Sequence, residues 1–130
     1  MNTFAKRVYT VAGIYGLLVM LPQYFLEERI GRDTPPPITH PEYFYGFIGI
    51  VIAWQVAFLV IARDPARFRA LMPVTVLEKL VFAVPVALLY MQGRVAPTAL
   101  IFGAIDLLLG ALFFLSWRRV SATAGPLRQP

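Results

Sequence analysis

The chain contains no cysteine, which excludes disulfides, thiolate metal sites and CxxC redox chemistry. Histidine occurs once, at His40, so a bis-histidine haem cannot be assembled. Charge is scarce: Asp, Glu, Lys and Arg make up 15% of the 130 residues, against 58% hydrophobic residues and a mean hydropathy of +0.67. A soluble domain of this size needs a more polar surface. Nucleophile motifs and phosphate-binding glycine loops are missing as well. No internal repeat is visible, which weighs against an inverted-repeat transporter built within one chain.

What the chain has instead is long apolar runs. About 20 apolar residues cross a bilayer as helix, and four stretches qualify: residues 8–26, 43–62, 74–91 and 97–117. The expected fold class is all-α, a transmembrane four-helix bundle, with a single membrane domain over residues 1–120 and a disordered tail over 121–130. Pro41, Pro73 and Pro97 stand at helix starts, where a missing N–H is harmless. Pro22 and Pro85 fall inside spans, and a bend is expected at each. The third span is interrupted early by Glu78 and Lys79.

The net charge of +5 raises nucleic acid as a partner, but its distribution points to membrane topology. Lys6, Arg7, Arg63, Arg67, Arg69, Arg118, Arg119 and Arg128 fall on one side of the predicted spans. Only Arg29, Arg32 and Arg94 fall on the other, beside Glu27, Glu28, Asp33 and Glu42. Cytoplasmic loops carry the excess of Lys and Arg, so both termini are expected in the cytoplasm. The "MNTFAKR" start imitates a secretory signal, but no small-residue cleavage site follows the apolar run, and a retained span is expected. The stretch "EERIGRDTPPPITHPE" reads as the longest irregular connection, its proline run favouring extended geometry. Tyr24, Phe25, Tyr43, Phe44 and Tyr45 flank it as an interfacial aromatic belt.

One residue resists this description. Asp106 lies inside "GAIDLLLGALFF", where a central aspartate opposes insertion by about 3 kcal/mol. The Leu, Ile and Phe of that span favour insertion by roughly 5 kcal/mol together, so the helix inserts regardless. Ala99, Gly103, Asp106 and Gly110 recur at helical spacing as a small-residue stripe of the kind that lets membrane helices approach closely. Asp106 is therefore expected to face protein. Comparable faces are Ala12, Gly16 and Gln23 in the first span and Gly46, Gly49, Ala53 and Ala57 in the second.

At about 1.5 Å of rise per residue, Glu78 and Lys79 lie roughly 6–8 Å from their span end, Tyr15 and Gln55 about 10 Å, and Asp106 about 16 Å. These five form the candidate ligand or proton site, since intramembrane ionisable groups are functional candidates by default. Each has a plainer reading. Lys79 can reach toward Asp106 or Gln55, or snorkel to the inner headgroups; Glu78 can be hydrated, and Tyr15 and Gln55 can serve as interhelical hydrogen-bond partners. Asp106 is too deep and too short to snorkel, which leaves a ligand, proton or catalytic role, or a buried pair locking two helices. Glu78 and Lys79, adjacent in sequence, are expected to point about 100° apart rather than pair. His40 with Glu27, Glu28 and Glu42 offers no recognised ligand spacing, and neither metal nor cofactor is expected.

The acid in "VLEKLVF", the closing "IDLLLGALFF…WRR", the size and the inward termini together resemble the small four-span bacterial membrane proteins, of which the DoxX-like group is the best known. The resemblance is one of format. It implies a bacterial inner-membrane bundle with roles reaching to quinone-linked redox accessories, and it carries no active residues across. Small multidrug exporters share the format but place an acid within their first span, which here has none before Glu27. Sterol-isomerase-like membrane enzymes use buried acids around a lipophilic substrate. Here Glu78 and Asp106 are expected about 10 Å apart in depth, too far for a shared acid–base dyad unless the bend at Pro85 brings the third span inward. The sequence therefore points to a non-catalytic or accessory protein of the lipid bilayer whose polar cluster around Asp106 binds a lipid-like molecule or a proton, the alternatives being a membrane enzyme on a lipophilic substrate or a proton-coupled small transporter. Its candidate partners are the bilayer, a small lipophilic ligand, a second copy of the chain or a larger membrane complex, and not nucleic acid.

Overall fold

A computed structural model describes residues 2–124, and within them all regular structure is helical. The elements are α1 (Thr3–Met20), α2 (Glu27–Asp33), α3 (Pro41–Arg63), α4 (Met72–Met91) and α5 (Pro97–Thr123), with short 3-10 segments at Leu21–Phe25 and Arg69–Leu71. Four apolar stretches are long enough to cross a membrane: Thr3–Phe25, Pro41–Arg63, Arg69–Met91 and Pro97–Thr123. The chain is thus built as a multi-pass membrane protein, and every span runs longer than its hydropathy alone implied.

Several boundaries move for local reasons. Pro22 does not bend a continuous α-helix; α1 ends at Met20 and the chain tightens into a 3-10 turn that holds the proline. At Pro85, by contrast, α4 continues as helix through the proline. The connection expected to be irregular after the first span begins with α2, whose first turn carries Glu27 and Glu28 and whose last turn carries Arg32. That order complements the helix dipole. The tail expected from residue 121 continues α5 to Thr123; residues 125–130 lie outside the described residues.

Two compact units make up the structure. One comprises Thr10–Val60; the other joins the first turns of α1, up to Tyr9, to the chain from Ile61 onward.

In the Ile61 unit, α4 and α5 form an antiparallel pair. Their connection is set by Gly93 at φ +71°, where a side chain would be strained. Gly93 N–H donates to Tyr90 and Arg94 N–H to Leu89, the paired bonds of a Schellman cap. Pro97 then starts α5. A Cβ on Gly103 would lie 3.3 Å from Val86, and one on Gly110 3.2 Å from Cβ of Lys79. Both contacts step seven residues along each helix, so Asp106 stands opposite Ala83, one turn from Lys79.

The start of α1 seals the opposite end of this pair. Tyr9 is fully buried and stacks on Phe113 with ring centroids 4.3 Å apart. Thr75 donates its single hydroxyl hydrogen to the Met72 carbonyl (2.6 Å), so Tyr9 must be the donor in the 2.7 Å Tyr9–Thr75 bond. Thr123 bonds Asn2 at 3.4 Å, and Arg119 lies over the Phe4 ring at 4.2 Å. Ser116 satisfies itself on the Leu112 carbonyl at 2.8 Å, as a hydroxyl away from water must.

In the Thr10–Val60 unit, α1 approaches α3 through Gly13 and Gly16. A Cβ on Gly13 would meet Leu59 at 2.7 Å and the Gln55 carbonyl at 3.0 Å, and one on Gly16 would collide with the Gln55 amide. The small-residue face expected on α3 is not the one used. Gly46 and Ala53 are exposed, and a Cβ on Gly46 would meet nothing within 4 Å. The buried residues of α3 are Ile48, Gln55, Phe58, Ile61 and Ala62. A Cβ on Gly49 would meet, among the described residues, the Tyr24 hydroxyl at 3.6 Å.

Candidate functional site

The feature with most chemistry is built by α4 and α5. Lys79 is 4% exposed, and its Nζ lies 3.3 Å from Oδ1 of Asp106, to which it donates a hydrogen bond. The same Nζ is 3.5 Å from Oε2 of Glu78. One ammonium therefore faces two carboxylates from two helices. Lys79 neither snorkels nor leaves its neighbour alone: its four-carbon stem reverses the angular separation expected of adjacent helical positions. The Glu78 contact is an ion pair without hydrogen-bond geometry, for Oε2 accepts no hydrogen bond among the described residues.

Backbone spacing explains the arrangement. Gly110 leaves the groove in which the base of the Lys79 side chain sits. From there the stem spans the one turn that separates Lys79 from the level of Asp106. The expected depth difference of about 10 Å counts from span ends, and the extension of α5 to Thr123 only enlarges it. Antiparallel register, not distance from a span end, decides which side chains meet.

The remaining candidates are placed elsewhere. Gln55 and Tyr15 belong to the Thr10–Val60 unit. Gln55 is 1% exposed; its Nε2 donates to the Val51 carbonyl at 3.0 Å, while Oε1 accepts nothing among the described residues. That oxygen is turned against Gly16, the position where a Cβ would collide with it. Tyr15 is half-buried. Gln23, part of the same expected face, bonds its own helix at the Val19 carbonyl, 3.2 Å away.

The acids near α2 do not gather around His40. Glu27 accepts a 2.7 Å hydrogen bond from the Tyr45 hydroxyl, and Tyr45 in turn stacks on Tyr24 with centroids 6.1 Å apart. His40 meets Glu42 at 3.1 Å on an exposed surface and stacks on Tyr43. Among the described residues no three His, Cys, Asp or Glu side chains converge as metal ligands would. A recess of about 350 Å³ lies beside α2, lined by Glu27, Glu28, Gly31, Arg32, Pro37 and Ile38. It is in the other unit from Asp106.

Sequence reasoning missed Gly13, where a Cβ would lie 2.7 Å from Leu59. It also missed the Tyr9–Thr75–Met72 relay. Gly13 and Gly16 are spaced i, i+3, so they share a face; that signal was present. Nothing in the local sequence marks Thr75 as the partner of Tyr9. Comparison of the chain with protein-family models, curated proteins and solved structures finds no match.

Proposed function

We propose that this chain is a non-catalytic, accessory protein of the bacterial inner membrane, in which Glu78, Lys79 and Asp106 form an ion cluster that locks α4 to α5. Both termini lie in the cytoplasm on this reading, supported by the excess of Lys and Arg on that side of the spans. The format shared with the DoxX-like group fits the same placement. The observation that carries the proposal is the engagement of Asp106. Its carboxylate is already hydrogen-bonded by a buried ammonium at 3.3 Å, which answers the need for a partner that a charge away from water imposes.

A ligand-binding or acid–base role requires a carboxyl turned towards a substrate position. Asp106 is turned towards Lys79. Native mass spectrometry of the protein released gently from its own membranes tests the reading. The expected result is protein with phospholipid only, unaltered in Asp106→Asn. A stoichiometric non-lipid molecule that disappears in Asp106→Asn would replace this proposal with a binding or enzymatic one.

A further inference from the structure

The Ile61 unit gathers positive charge where α1 begins and α5 ends. The Thr123–Asn2 bond and the Arg119–Phe4 contact bring the first turns of one helix against the last turns of the other. Lys6 and Arg7 on α1, and Arg118 and Arg119 on α5, are all exposed there. None forms an ion pair with a carboxylate among the described residues. Arg63, Arg67 and Arg69 belong to the same unit and precede the first turn of α4, whose Thr75 bonds Tyr9. Asp64 is the acid of that connection, and its Oδ1 accepts the Arg67 backbone N–H at 3.2 Å.

Helix ends in a membrane protein stand at headgroup depth, and Trp117 and Phe4 place aromatic rings beside these cations, as at a membrane–water interface. Guanidinium groups present forked donors matched to phosphate oxygens. We infer that Lys6, Arg7, Arg118 and Arg119 form a site that holds the phosphate of an anionic phospholipid at the junction of α1 and α5. The ring of Phe4 fixes one wall by holding Arg119 through its face. A zwitterionic lipid offers the same phosphate, but its ammonium is repelled by the cations exposed at this junction. The site therefore discriminates by net headgroup charge.

The test uses the purified full chain in detergent micelles, where the readout does not depend on the orientation in which the variants insert. The probes are phosphatidylglycerol and phosphatidylethanolamine in equal amounts, counted per chain by native mass spectrometry. Wild type is expected to retain phosphatidylglycerol selectively, with retention falling about fivefold for each cation removed. The K6Q/R7Q/R118Q/R119Q variant should lose the selectivity, whereas R29Q/R32Q, on α2 of the other unit, should keep it.

Equal retention of the two lipids by wild type would overturn the inference, as would an equal loss in R29Q/R32Q. Displacement of the lipid by excess inorganic phosphate would also overturn it, by showing a free-anion site. Should the glutamine variant lose its helicity, R118K/R119K and a salt series on wild type decide. The lysine variant must retain phosphatidylglycerol and salt must weaken that retention; failure of either overturns the site.

Discussion

Replacing Lys79 with methionine keeps the length of the stem and removes the one cation that, among the described residues, pairs with Glu78 and Asp106. At 3.3 Å and an effective dielectric constant of about 20, the gross attraction between Lys79 and Asp106 is about 5 kcal/mol. Desolvation of the two ions opposes most of it, at several kcal/mol per ion. The partially unfolded chain in a membrane also finds other partners, which limits interhelical polar couplings to about 0.6–1.7 kcal/mol. Two carboxylates left facing each other add the penalty of an uncompensated charge, so Lys79→Met should destabilise by about 3 kcal/mol. Asp106→Asn leaves the Lys79–Glu78 pair and an amide oxygen that still accepts a hydrogen bond, and should cost about 1–2 kcal/mol. A double-mutant cycle, read from the loss of helicity during sodium dodecyl sulfate titration of micelles, should then give a coupling of about 1.5 kcal/mol. A coupling indistinguishable from zero, or Asp106→Asn more damaging than Lys79→Met, would refute the locking role.

Other consequences can be checked in the same preparation. Gly13→Ala should destabilise by about 1–3 kcal/mol because its Cβ meets the unyielding Gln55 carbonyl, while Gly46→Ala, with open space around it, should be neutral or gain up to about 1 kcal/mol from helix propensity; equal effects on the unfolding midpoint would contradict the α1–α3 packing. In this cysteine-free chain, Val86→Cys with Gly103→Cys should cross-link on oxidation, since a Cβ at Gly103 lies 3.7 Å from Cβ of Val86, within the usual range for a disulfide; Val86→Cys with Ile101→Cys should not, and a gel shift distinguishes them. Tyr9→Phe should cost about 1 kcal/mol, because Thr75 keeps its bond to Met72, whereas Tyr9→Ala empties the space against Phe113 and should cost about 3–5 kcal/mol, both measured as unfolding free energies. Reporter fusions at either terminus should be active only in the cytoplasm, and activity of either fusion on the far side would overturn the proposed orientation.

Much of the fold could be read along the chain because lipid imposes a strong rule: backbone must close its own hydrogen bonds, so apolar runs of sufficient length become helices. The Gly103 and Gly110 contacts with α4 follow from the same logic of small residues in close approach. Other features depended on which helices face each other, and hydropathy says nothing about that. Gly46 and Ala53 share a face that looks as suitable as any, yet α3 buries Ile48, Gln55 and Phe58 instead. The carboxylate pair was misjudged for a related reason. Depth counted from an assumed helix end separated Glu78 from Asp106, while register and the reach of the Lys79 stem brought both to one ammonium. Seven residues of α2 were hidden because a polar, proline-flanked stretch carries no apolar periodicity.

Engagement of Asp106 by Lys79, rather than by a proton or a ligand, can be read by carbodiimide labelling in the membrane. Dicyclohexylcarbodiimide is apolar, enters from the bilayer and reacts with carboxyl groups that are accessible there and carry a proton. No adduct is expected on Asp106 in the wild-type protein in its membrane, mapped by peptide mass spectrometry, and an adduct is expected in Lys79→Met. Stoichiometric labelling of Asp106 in the wild-type protein would refute the locking role and mark this residue as an open proton or ligand site.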